Sequence, residues 1–153
     1  MATDLLSMFR SMKREANMLG GKRILLVEDE RVAREALRRL FEQDSHTVVE
    51  ANNGAEAFAL FRSDKFDLVV VDFEMPFVKG NELAARIRTV SPNQPIVMVT
   101  GFHKRPGVDN PVDAVVNKPF SSGHIRQVVS RLLSRGKAPV DLQTERIERN
   151  QVC

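Results

Sequence analysis

From Ile24 onward the chain alternates between short, unbroken apolar runs and longer stretches whose apolar residues recur every three or four positions. The runs Ile24 to Val27, Leu68 to Val71 and Ile96 to Val99 carry no polar residue, the pattern of strands covered on both sides. Thr47 to Val49 and Val112 to Val116 read as a second and a fifth strand. Between them, Val32, Ala33, Ala36, Leu37, Leu40 and Phe41 form a helical stripe. Ala57, Phe58 and Phe61 predict a short helix after the Asn52-Asn53-Gly54 turn, and Leu83, Ala84, Ile87 and Val90 mark another. A last helix starts near Ser121-Ser122 and carries Ile125, Val128, Val129 and Leu132. Apolar strands alternating with amphipathic helices predict an α/β unit: a parallel sheet covered on both faces. Right-handed crossovers then place every strand's C-terminal end along one edge, where such sheets carry their ligand site.

The two ends of the chain have a different pattern. In residues 1–20, Leu5, Met8, Met12, Ala16 and Leu19 recur at helical spacing, with Arg10, Lys13 and Arg14 mostly elsewhere around the axis. Thr3 or Asp4 can cap this amphipathic extension, and Gly20-Gly21 can stop it. It reads either as an extension packing on the domain or as a partner or dimer contact. Its short length and modest hydrophobicity argue against a membrane-surface role. From Ser134 the periodicity fades and Pro139 interrupts any helix, so 135–153 is expected to be a flexible tail. Residues 22–134 form the expected central domain.

Composition narrows the class. A chain of 153 residues suits one hydrophobic core, and 42% hydrophobic with 28% charged residues suits a soluble globular protein. No apolar run reaches membrane-spanning length and the N-terminus lacks a secretory core, so a cytoplasmic location is the default expectation. The only cysteine, Cys153, excludes an internal disulfide or thiolate metal cluster. The net charge of +3 does not point to nucleic acid: Ile24 to Ser130 holds 13 basic and 15 acidic residues, a balance of −2, without a basic stripe on any ordered element. His46, His103 and His124 lack metal-ligand spacing, and Gly20-Gly21 precedes its strand, so it is no dinucleotide fingerprint.

The chemistry lies in the residues at the strand ends. Glu28 and Asp29 come after the first strand, Asp72 after the third and Thr100 after the fourth, and Lys118 lies just beyond the fifth. Three carboxylates brought together repel one another unless a cation compensates, and a hard, oxygen-seeking ion such as Mg²⁺ suits them, with Mn²⁺ as the alternative. Asp72 is then a nucleophilic carboxylate, with the Thr100 hydroxyl and the mobile Lys118 charge as donors for phosphoryl oxygens. Each signal has a plainer reading alone: Asp29 as a helix cap, Thr100 as a turn hydroxyl, Lys118 as a surface charge. Their joint occurrence on correctly ordered strands favours the phosphoryl site.

The segments Ile24 to Glu30, Asp67 to Gly80 (DLVVVDFEMPFVKG), Val99-Thr100 and Asn117-Lys118-Pro119-Phe120 resemble a two-component response-regulator receiver domain of the CheY-like family. The match covers about residues 22 to 134, and D-x-x-M-P-x-x-x-G with K-P-F are its most specific parts. It implies a doubly wound, five-stranded, flavodoxin-like receiver fold. It further implies Asp72 as phosphoacceptor, Glu28 and Asp29 as the acidic pair, Thr100 as the switching hydroxyl and Lys118 as the phosphoryl-contacting lysine. The resemblance also implies the Glu74 carbonyl as the last of the protein's metal ligands and a cis bond before Pro119. The implied donor is a histidine kinase or histidine phosphotransfer protein. The domain would catalyse its own aspartyl phosphorylation and slow dephosphorylation without being a conventional turnover enzyme.

Two features depart from that pattern. Val115 stands where the family usually has tyrosine or phenylalanine, so the ring that reports phosphorylation is missing. Gly101 to Pro111 contains Pro106, Gly107 and Pro111, so the usual fourth helix is expected short, irregular or absent. With no DNA-binding module expected after residue 134, output is expected through contact with an unidentified downstream protein or by transfer to a second histidine. The output face and residues 1–20 are the candidate dimer surfaces. A signal relayed from Thr100 through the 101–111 loop replaces the aromatic switch in this reading. The competing reading is a receiver-shaped interaction module that no longer switches. A metal-dependent phosphatase is disfavoured because Glu74 stands where such enzymes need a second aspartate, and no cap domain fits.

Overall fold

In the computed structural model, residues 5–8, 10–11, 21–101 and 110–135 are described. Five strands, β1 (Arg23–Val27), β2 (Thr47–Ala51), β3 (Leu68–Asp72), β4 (Ile96–Gly101) and β5 (Ala114–Lys118), form one parallel sheet in the order β2-β1-β3-β4-β5. Helices α1 (Arg31–Gln43), α2 (Gly54–Ser63), α3 (Gly80–Val90) and α4 (Ser122–Ser134) connect and flank them. The expected doubly wound sheet is therefore present. The 102–109 segment, where the shortened fourth helix is expected, lies outside the described residues, as do Met12, Ala16, Leu19 and Pro139. Residues 5–8 and 10–11 are helical, with Leu5, Leu6 and Met8 exposed.

Burial explains the strand pattern. The middle strand β3 is buried at every position, because β1 and β4 pair with its two edges and helices cover both faces. Alternate residues then divide into two cores. Leu25, Val27, Val69, Val71 and Met98 pack beneath Ala57 and Phe61 of α2 and Leu83, Ala84 and Ile87 of α3. Ile24, Leu26, Leu68, Val70, Val97 and Val116 pack beneath Leu37 and Phe41 of α1 and Ile125, Val129 and Leu132 of α4. Caps reinforce the helix starts. Asn53 Oδ1 accepts from the Glu56 N–H at 2.8 Å while Glu56 Oε2 accepts from the Asn52 N–H at 3.0 Å, and Ser121 Oγ accepts from the His124 N–H.

Several sequence readings need correction. Ala36 and Val90, placed on the apolar stripes of their helices, are exposed. Val32, assigned to the buried stripe of the first helix, is 72% exposed, because at 3.6 residues per turn it lies on roughly the opposite side of α1 from the buried Leu37 and Phe41. The fifth strand begins at Ala114, two residues later than its apolar run implies. Val112 packs against the first core as a loop residue, and Asp113 intervenes. The Asp113 carboxylate accepts from the Ile96 N–H at 2.8 Å, closing the end of β4 before pairing with β5 begins.

Asp113 is held in turn by Arg88, from the last turn of α3. The guanidinium donates to Asp113 Oδ2 at 2.7 Å, to the Pro111 carbonyl at 3.0 Å and to the Pro92 carbonyl at 2.9 Å, and also to the Gln94 carbonyl. One side chain thus ties the end of α3 to the starts of β4 and β5. Arg88→Ala leaves these half-buried acceptors without their donor. The expected cost is about 2 kcal/mol, below that of a fully buried pair because water reaches both partners. Urea unfolding monitored by circular dichroism checks this, and Arg88→Lys, which lacks the planar fork, is expected to recover less than half of it.

Candidate functional site

Strand order places the site. From β1 the chain moves outward to β2, then crosses back over β1 to β3, so consecutive connections leave β1 and β3 in opposite directions. A crevice opens at the C-terminal ends of these two strands. In register Val27 pairs with Val71, which sets Glu28 and Asp72 level with each other. The two-residue alternation carries both toward the α1 and α4 side, with Leu26 and Val70. Lys118, ending β5, has the same parity as Val116 and reaches back toward them.

One carboxylate oxygen each from Glu28, Asp29 and Asp72 come within 4.8 Å of one another. Glu28 and Asp72 are buried, at 1% and 6% exposure, while Asp29 faces solvent. Lys118 Nζ donates to Glu28 Oε2 at 3.2 Å and lies 3.6 Å from Asp72 Oδ2. Glu28 Oε1 accepts from the Glu30 N–H at 3.1 Å, and Asp72 Oδ1 accepts from the Glu74 N–H at 3.2 Å. Burial pushes the Glu28 carboxyl up to about 7, and the nearby Asp72 adds to the shift against the opposing Glu30 N–H and Lys118. Burial also opposes charge on Lys118, but Glu28 and Asp72 outweigh it and hold the ammonium above the ordinary lysine value.

The structure therefore brings together four of the residues singled out in the sequence: Glu28, Asp29, Asp72 and Lys118. Thr100 is fully buried near the end of β4, one residue beyond Val99, the register partner of Asp72. Its hydroxyl donates to the Gly101 carbonyl at 3.4 Å, and its parity is that of Ile96 and Met98, opposite to Asp72. Glu74 is exposed in the loop after β3, and the Lys118-Pro119 bond is cis, as the resemblance implies.

That loop is shaped by two close approaches. A Cβ at Gly80 would lie 2.4 Å from the Asp72 carbonyl oxygen, so only glycine lets α3 begin against the Asp72 backbone. A Cβ at Gly54 would lie 2.7 Å from Val78 Cβ, which seats the loop on the first turn of α2. Phe77, at the loop's turn, combines 98% exposure with a left-handed φ of 70°, a rare conformation for a bulky residue. Sequence reasoning singled out neither these contacts nor Arg34, whose guanidinium bonds the Glu28 carbonyl from α1. Arg34 is one of four arginines on that helix, and nothing in its spacing sets it apart.

The chain matches the family model for the response regulator receiver domain over residues 24–130. It is 36% identical over 115 residues to the response regulator receiver protein CpdR of Brucella abortus, covering 72% of this chain and 93% of that protein. Response regulator MprA of Mycobacterium ulcerans is 33% identical over 123 residues, covering 78% of this chain; there the match spans only 53% of the relative's length. Among solved structures, response regulator TrrA of Thermotoga maritima, in complex with Mg(2+)-BeF, superposes with a TM-score of 0.69. It is 34% identical and covers 72% of this chain and 98% of that one. The chain belongs to the response regulator receiver family. Fold and site together define a receiver-type phosphoacceptor domain, with an acidic cluster able to hold a divalent cation and suited to autophosphorylation chemistry.

A pH dependence arises from Glu28. Its folded value lies above the ordinary carboxylate value of 4.5, so between pH 4.5 and about 7 the folded chain binds more protons than the unfolded chain. Without divalent cations, stability is expected to fall as pH rises through that window, by on the order of 2 kcal/mol, and then to level off. Urea unfolding in a chelator at pH 5 and pH 8 measures the difference. Glu28→Gln, which has no proton to lose, is expected to flatten most of it.

Proposed function

We propose that Asp72 accepts a phosphoryl group from a histidine-kinase-type donor, either a kinase or a histidine phosphotransfer protein, and that the modified chain acts by contact with a downstream protein. The observation that supports this most is the joint placement of three carboxylate oxygens within 4.8 Å and an ammonium 3.6 Å from Asp72 Oδ2. Such a set of hard oxygen donors fits a divalent cation, for which Mg²⁺ is the proposed ion and Mn²⁺ the substitute. Glu28, Asp29, Asp72 and the Glu74 carbonyl would hold it, Glu28 either directly or through water. When bound, the cation supplies the positive charge that offsets the phosphoryl oxygens.

The remaining chemistry belongs to the chain's own groups. An Asp72 carboxylate oxygen attacks phosphorus; the O–P bond forms as the donor's N–P bond breaks, and the released imidazole takes its proton from solvent. Lys118, kept charged by the same carboxylates, then moves from Glu28 to a phosphoryl oxygen as a mobile point charge. Thr100, whose hydroxyl rests on the Gly101 carbonyl, would have to leave it and turn toward the strand ends to donate to another of those oxygens by a charge-assisted hydrogen bond. Water later cleaves the acyl phosphate slowly. Among the described residues no helix is long and apolar enough to cross a membrane. A donor charged from ATP would place this chemistry in the cytoplasm.

Incubation with acetyl phosphate and Mg²⁺, followed by intact-mass measurement, tests the assignment. The wild type is expected to gain one phosphoryl group, and Asp72→Asn, nearly isosteric but a poor nucleophile, to label more than about ten-fold more slowly. Chelation of the metal is expected to suppress the wild-type reaction to a similar extent. Equal labelling of both chains, with the group mapped to another residue, would reject Asp72 as the acceptor.

A further inference from the structure

Behind the acidic loop lies a cation that takes no part in the chemistry described above. Arg34, in the first turns of α1, donates from Nη1 to the Glu28 carbonyl at 2.9 Å and more distantly to the Asp29 carbonyl at 3.5 Å. Its Nε lies 3.4 Å from Glu50 Oε1 on β2, and its side chain is only 16% exposed. The two carbonyls it grips belong to the two neighbouring residues whose side chains enter the acidic cluster. Glu50 also pairs with Arg38 from the next helical turn, Nε to Oε1 at 3.7 Å. A planar guanidinium can meet a carbonyl on one edge and a carboxylate on another in fixed directions, which an ammonium cannot reproduce.

We propose that Arg34, braced by Glu50, is a positioning residue for the cation site: it fixes the main chain at Glu28 and Asp29 so that their carboxylates converge on Asp72. The physical reason is the repulsion among the three acids. Carboxylates on a free loop lower their energy by turning apart into water, and Asp29, already exposed, has the room to do so. A donor on the carbonyl side of the same two residues restricts the main-chain part of that freedom without touching the face that would meet a cation. Outer supports of this kind typically change metal affinity ten-fold or more when removed. The purpose assigned to the site rests on the phosphoacceptor reading, whereas the brace itself does not.

Two measurements on the full chain test the brace. The Glu30 N–H is bonded to Glu28 Oε1, so its solvent exchange, followed by NMR without metal, reports whether the loop keeps its shape. Calorimetric titration with Mg²⁺ reports the site. Arg34→Ala is expected to speed Glu30 exchange several-fold and to weaken Mg²⁺ binding about ten-fold. Arg34→Lys, charged but without the fork, is expected to do nearly the same, and Glu50→Ala to give a smaller change in the same direction. Arg38→Ala, which removes a guanidinium from the same carboxylate, is expected to behave as wild type. Thermal unfolding shows which variants are folded at the working temperature, and Arg34→Gln stands in if alanine is not tolerated. Wild-type Glu30 exchange and Mg²⁺ affinity in folded Arg34→Ala would overturn the proposal. So would an Arg38→Ala defect as large as that of Arg34→Ala, which marks general loosening of α1 on β2. A chain that binds Mg²⁺ but takes no phosphoryl group defeats the phosphoacceptor reading alone, because the Glu30 comparison still decides the brace.

Discussion

Repulsion among carboxylates at one edge of a sheet is the constraint on which the rest of the molecule depends. Glu28 and Asp72 are both buried at adjacent strand ends, with Asp29 beside them, an arrangement that a chain folding for stability alone would avoid. Lys118 compensates only part of this charge, and Glu28, desolvated by burial and facing Asp72, holds its proton up to about pH 7. The site is thus poised for positive charge. Stability given up at this edge must be recovered elsewhere, and the two cores on either side of the fully buried β3 are where that occurs.

Holding mutually repelling groups in place requires a rigid surround. Around the acidic edge the main chain is pinned from several directions by contacts that involve no acid side chain. Gly80 lets α3 start in contact with the Asp72 backbone, Gly54 admits Val78 to the first turn of α2, and Arg34 holds the carbonyl side of the Glu28-Asp29 loop. Arg88 does related work at the opposite edge of the sheet, where it ties α3 to the entries of β4 and β5. Thr100 shares its face with Met98, the register partner of Val115. Val115, on that same face, is exposed.

Much of the fold was legible because local pattern and tertiary environment agree. Four-residue apolar runs can be buried on both faces only in the middle of a covered sheet, and β1, β3 and β4 occupy those places. Legibility declined toward the edges. Val112 looked like the start of a strand because it is apolar, yet Asp113, bonded to Ile96 and Arg88, delays pairing until Ala114. Val32 looked like core because it is apolar and four residues before Ala36, yet the turn of the helix carries both away from the face of Leu37 and Phe41. Residues 102–109, most of the stretch where the fourth helix was expected short, irregular or absent, are outside the described part of the chain.

The sequence by itself determined the order of strands and helices, the single sheet edge at which the strand-end residues meet, and the chemical identity of the groups assembled there. These depend on side-chain type, two- and four-residue periodicity and the handedness of crossovers, all of which are local or generic. Only the tertiary structure decided that Glu28 is buried deeply enough to hold its proton near neutrality, that Lys118 rests on Glu28 and Asp72 together, and that Arg34 among four arginines of α1 grips the acidic loop. Each of these depends on distances of a few ångströms between segments far apart in the chain. Solvent exclusion and hydrogen-bond direction are properties of the packed surroundings, and no spacing along the sequence encodes them.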